Sequence, residues 1–93
     1  MGTKEKALRR LKSLPRDYTY TEAEHLLRSL GFKKSNKGKT SGSRISFYRE
    51  RDKMIVMLHR PHPGNVMLPA AVLALKSALE KRGEFDVLQT KRQ

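Results

Sequence analysis

Apolar residues in the first segment fall at Ala7, Leu8, Leu11 and Leu14, the spacing of one face of a helix. A helix is therefore predicted over Thr3 to Leu14, and Pro15 ends it. A second stripe follows at Ala23, Leu26, Leu27 and Leu30. Thr21-Glu22-Ala23-Glu24 in front of it reads as a capping box, with hydroxyl and carboxylate each satisfying a free N–H of the first turn. Gly31 is its left-handed stop.

The period then shortens. Phe32 to Lys37 fits a short strand, and Gly38-Lys39-Thr40-Ser41-Gly42 fits a turn. Ser43 to Arg49 alternates, with Ile45 and Phe47 on one side and Arg44, Ser46 and Tyr48 on the other. Glu50 to Lys53 has the length of a hairpin turn, and Met54 to His59 is a third strand with apolar residues on both faces. Pro61-His62-Pro63-Gly64-Asn65 is loop. A last helix runs from Pro69 to about Arg82 and stops at Gly83. Its core stripe is Leu68, Ala71, Val72, Leu75, Ala78 and Leu79, while Leu73 points almost opposite.

Hairpin-linked strands between helices predict an α+β fold, a three-stranded antiparallel sheet with helices on one face and the other face open. The whole chain, 1–93, reads as a single domain. Residues 1–16 form an N-terminal helical extension, 17–83 the core, and 84–93 a loosely held tail.

Charge sharpens this outline. Twenty-one Lys and Arg oppose nine Asp and Glu, a formal net charge of +12, which points to a polyanionic partner. The chain has no cysteine, excluding a disulfide scaffold or thiolate zinc site. Its longest apolar stretch, Leu68 to Leu75, is too short for a membrane span, and no signal-type segment precedes it, so a cytoplasmic location is expected. From Arg28 to Arg60 there are ten basic residues and two acidic ones. Lys33, Lys34, Lys37 and Lys39 crowd the turn before Ser43 and Arg44, where ammonium groups and loop N–H groups can follow a phosphate backbone. Tyr48 lies on the Arg44 side of its strand and can stack on a base. The last helix has basic residues only at Lys76, Lys81 and Arg82, a poor recognition helix, so loop and strands are the better nucleic-acid surface.

Gly31-Phe32, a basic turn ending Gly42-Ser43-Arg44, a hairpin, then Pro61-His62-Pro63-Gly64 and a closing helix resemble the HicA family of bacterial toxins. The resemblance covers about Thr21 to Gly83. It implies a fold similar to double-stranded RNA-binding domains and activity as a ribosome-independent mRNA interferase. It also implies neutralisation by an acidic HicB-like antitoxin. The family has Gly-Ser-His where this chain has Gly42-Ser43-Arg44, and that histidine is the family's catalytic residue.

Cleavage by a 2′-hydroxyl needs a base, which an always-protonated guanidinium is not, although Arg44 can clamp the scissile phosphate. Either His59 or His62 supplies the base beside Arg44, or the chain binds RNA without cutting it. His25, off the apolar stripe of its helix, is expected to be an exposed bystander. His59 and His62, three apart with no clear third ligand, make a poor zinc pattern, and no metal or other cofactor is expected. Ile55, Met57 and Leu73 are the apolar residues left for the antitoxin to cover. Two alternatives remain: a non-catalytic RNA-binding module, and a basic interaction protein that docks an acidic partner.

Overall fold

A computed structural model describes residues 3–35, 44–61 and 64–89. Helices α1 (Thr3–Lys12) and α2 (Tyr20–Ser29) precede strands β1 (Lys33–Ser35), β2 (Arg44–Arg49) and β3 (Met54–His59). Helix α3 (Pro69–Lys81) and a 3₁₀ helix, Glu84–Gln89, complete the order. The strands form one antiparallel sheet in the order β1-β2-β3, as the hairpin pattern requires. Among the described residues no helix is long and apolar enough to cross a membrane.

One core joins the layers. Phe47, Val56 and Leu58 of the sheet share it with Leu26 and Leu27 of α2 and Val72, Leu75 and Leu79 of α3. Leu8 and Leu11 of α1 are fully buried in the same core, so the N-terminal segment is part of the packed unit. Leu14 departs from the predicted stripe: α1 ends at Lys12, and Leu14 is exposed with φ of 52°. Leu68 departs too. It precedes the first turn of α3 as its N-cap and is 73% exposed, so the core stripe of that helix begins with Ala71 and Val72.

The capping box of α2 lies two residues earlier than expected. Glu22 N donates to Thr19 Oγ1 at 3.1 Å, and Thr19 N donates to Glu22 Oε1 at 3.0 Å. Both Thr19 and Thr21 have a Glu three residues on, so local sequence offers two frames. Tertiary contacts choose between them. Arg10 of α1 donates to both Glu22 oxygens, and Thr19 is held extended by a bridge to Val66. Gly31, with φ of 97°, stops α2 as expected.

The segment 84–93 is not loose over its first part. Phe85 is buried, and Glu84 Oε2 accepts from Arg49 Nη2 at 2.6 Å. A buried aromatic and a buried carboxylate–guanidinium pair both resist release of this segment. Arg49 itself sits at the core end of β2, 2% exposed. Its guanidinium donates to Asp52 Oδ1 at 3.0 Å and Oδ2 at 2.9 Å, and to the Leu30 carbonyl at 3.0 Å. It also lies 4.6 Å from the centroid of the Phe32 ring. Gly31 matters twice here, because a Cβ at that position would stand 3.4 Å from Arg49 Cδ.

These pairs set the acid limit of the fold. Hydrogen bonds from Arg49 hold the Asp52 carboxyl at about 2, and hydrogen bonds from Arg10 hold Glu22 below the usual carboxylate range. Both groups therefore bind protons more readily in the unfolded chain. Their stabilisation is complete above about pH 4 and is lost as pH falls towards about 2. Urea midpoints measured from neutral pH downward should fall steeply in that window, and Arg49→Ala should flatten the drop. An equal drop in the variant would assign the acid limit to other groups.

Candidate nucleic-acid interface

Alternation sorts the sheet into two faces. Ile45, Phe47 and Arg49 of β2 and Met54, Val56 and Leu58 of β3 turn towards the helices. Arg44, Ser46 and Tyr48 turn away with Ile55, Met57 and His59. The register aligns these outward residues in rows. Lys33, Tyr48 and Ile55 form one row, and Ser35, Ser46 and Met57 the next. Arg44 and His59 are direct partners in the last.

Directly opposed residues of an antiparallel pair have Cβ atoms roughly 4.5–5.5 Å apart. The Arg44 and His59 side chains thus rise side by side, both exposed, where β2 begins and β3 ends. At the other end, Lys33, Lys34 and half-buried Tyr48 line a groove of about 560 Å³ with Ser35, Ser46, Phe47 and Ile55. Four residue steps of extended chain lead from Arg44 to Tyr48, a span of about 13 Å. A cation beside an imidazole, a serine pair, and a phenol beside an ammonium group follow one another along the face.

The expected site residues divide accordingly. Arg44, His59, Lys33 and Tyr48 are brought onto one face. Lys34 is not: it pairs in register with buried Phe47, and its Nζ lies 3.3 Å from Glu24 Oε2. Burial opposes ionisation of Glu24, yet hydrogen bonds from Arg28 and Lys34 outweigh it and lower its pKa. The Lys34 charge is thereby committed to α2. Lys37, Lys39, Ser43 and His62 lie outside the described residues. His25 is exposed on α2, as expected of a bystander. Ser35 and Ser46 complete the face; the short strand β1 gave no register of its own from which to place Ser35.

Ion pairing refines the charge count in the same way. Arg28 is paired with Glu24 and Arg49 with Asp52 and Glu84. Lys33, Arg44, Lys53 and Arg60 have no carboxylate partner among the described residues. Two of those four, Lys33 and Arg44, belong to the open face. Among the described residues no three His, Asp or Glu side chains are grouped so as to hold a metal ion.

The apolar candidates also separate. Ile55 is 62% exposed and Met57 50%, and both border the groove between β3 and α3. Leu73 is 50% exposed but is not among the residues lining that groove. Compared with family models, curated proteins and solved structures, the chain matches none.

Proposed function

We propose that the open face of the sheet binds single-stranded RNA and that Arg44 and His59 cleave it there. The observation that carries this reading is the direct register pairing of Arg44 with His59 on the face that also carries Lys33. In the proposed reaction the His59 imidazole takes the proton of a 2′-hydroxyl as that oxygen attacks the adjacent phosphorus. The P–O bond to the 5′ oxygen breaks as that oxygen takes a proton from a water molecule, giving a 2′,3′-cyclic phosphate and a 5′-hydroxyl. Arg44 holds the non-bridging oxygens and offsets the negative charge that develops on them. Tyr48 stacks on a neighbouring base, and Lys33 meets the next phosphates.

On this reading the chain is a HicA-like toxin of the cytoplasm with the double-stranded-RNA-binding-domain type of fold. It is an mRNA interferase in which His59 replaces the histidine missing at position 44. Its neutralising partner is an acidic HicB-like antitoxin that covers the open face and its apolar border at Ile55 and Met57. The presence of Arg44 favours a second reading, an RNA-binding module without cleavage, because guanidinium binds phosphate well and cannot act as a base.

Binding is tested by salt dependence. Lys33→Gln should weaken retention of RNA of any sequence and reduce the log–log salt slope by about 0.7, the share of one single-strand phosphate. Lys34→Gln should leave the slope unchanged, since its charge is held by Glu24. Equal effects of the two variants would remove the open face as the binding surface. Labelled RNA in the same samples separates the readings: shortened RNA supports the ribonuclease, and salt-sensitive retention of intact RNA supports the module.

A further inference from the structure

Strand β3 ends the sheet: among the described residues it has β2 on one side and no strand on the other. An uncovered edge offers its backbone N–H and C=O groups to any extended chain, and proteins usually blunt such edges with charge, proline or bulges. The opposite edge, β1, is blunted. It is three residues long and carries Lys33 and Lys34. β3 is not, because its six residues, Met-Ile-Val-Met-Leu-His, hold no proline, lysine or carboxylate.

Beyond that edge lies a groove of about 220 Å³ between β3 and α3. Its helix wall presents Ala71, Ala74 and Ala78, whose methyl groups leave room for the side chains of another strand. A neighbouring strand sits about 4.8 Å away, so its inward side chains would fall between β3 and these alanines. Its outward side chains would continue the rows of Ile55 and Met57. Lys53 before β3 and Arg60 after it have no carboxylate partner among the described residues, so positive charge brackets the apolar run.

The geometry points to strand addition at the edge of β3, by an extended segment of an acidic protein with apolar residues at its centre and carboxylates at both ends. Charge selects this occupant over a second copy of the chain, since two copies would each bring a net +12 to the interface. Main-chain hydrogen bonds to β3 supply affinity, and the groove supplies side-chain selection. The inference rests on the reading of an acidic protein partner and gives it a docking mode, independent of whether RNA is cut.

The test uses the full chain and a synthetic peptide of alternating Val and Thr with two Glu at each end. Two further peptides carry N-methyl groups on one or the other row of backbone nitrogens. The parent peptide should bind and slow hydrogen exchange at alternate amides of β3. Methylating the row that faces β3 should weaken binding about tenfold or more, whereas the other row should tolerate it. Replacing Glu by Lys in the peptide should also weaken binding. In the protein, Ala74→Gln, which fills the groove without changing charge, should weaken binding by a similar factor and leave the urea midpoint and RNA retention unchanged. Absence of binding at millimolar peptide, or indifference to both methylated rows, would overturn strand addition. Self-association of the chain with protection at β3 would make a second copy the occupant. Loss of RNA cleavage with peptide binding intact would reject the ribonuclease reading alone.

Discussion

Replacing His59 with alanine should lower RNA cleavage by about 10²–10⁴-fold, the usual loss when a general base is removed. The expectation follows from register: His59 stands opposite Arg44, close enough for its imidazole to reach a phosphodiester that the guanidinium would hold on the proposed reading. RNA retention should change little, because on the proposed reading the phosphate contacts are made by Arg44 and Lys33. Arg44→Ala should differ in kind, reducing both retention and cleavage, since it removes a cation from the binding face as well as from the transition state. Arg44→Lys should restore retention better than cleavage, because an ammonium group keeps the charge and loses the two-pronged contact. Single-turnover rates at saturating protein separate these effects. Full activity in His59→Ala would place the base elsewhere.

The largest loss of stability should come from Arg49→Ala. That guanidinium satisfies Asp52, Glu84 and the Leu30 carbonyl from a nearly inaccessible position. Its removal leaves the Leu30 carbonyl without its donor and Glu84 with only distant Arg51, while Asp52 keeps Arg82 Nη1 at 3.1 Å; breaking such a buried pair costs about 3–5 kcal/mol. For a domain of this size the melting temperature should fall by more than about 12 °C. Arg51→Ala is the matched control. Its side chain is 69% exposed and stands 4.0 Å from Glu84, so its loss should cost under about 1 kcal/mol. Similar urea midpoints for the two variants would show that the Arg49 cluster does not hold the sheet to the C-terminal 3₁₀ helix.

Arg49 also illustrates what a single sequence hides. Strand alternation alone assigns it to the core side with Ile45 and Phe47, but a charge there has meaning only with partners, and Glu84 lies thirty-five positions away. The same distance effect hid the ordering of Glu84–Gln89, whose anchors are the buried Phe85 ring and the Arg49 pair. At α2 the local pattern predicts the Thr21–Glu24 frame, and the box forms instead at Thr19 and Glu22, whose carboxylate Arg10 of another helix holds. Local patterns with one solution were legible instead. β3 was bounded at Met54 and His59 by an apolar run between the polar Glu50–Lys53 turn and Pro61, and α3 was opened by Pro69 and closed before Gly83, whose φ is 75°. Of the site, the outward set on β2 could be read from period two, and the facing of Lys33 and Lys34 could not. A three-residue strand has no pattern long enough to fix its faces, and only pairing with β2 separates the two lysines.

On the proposed reading the Arg44–His59 pair cuts RNA by way of the substrate's own 2′-hydroxyl. The most direct measurement is end-group analysis of a labelled RNA incubated with the pure protein, beside the same RNA carrying 2′-deoxy sugars throughout. The ribose substrate should yield fragments ending in 2′,3′-cyclic phosphate and 5′-hydroxyl, and the deoxy substrate should stay intact. Cleavage of both substrates, fragments with 5′-phosphate ends, or RNA that is retained but never shortened would contradict it.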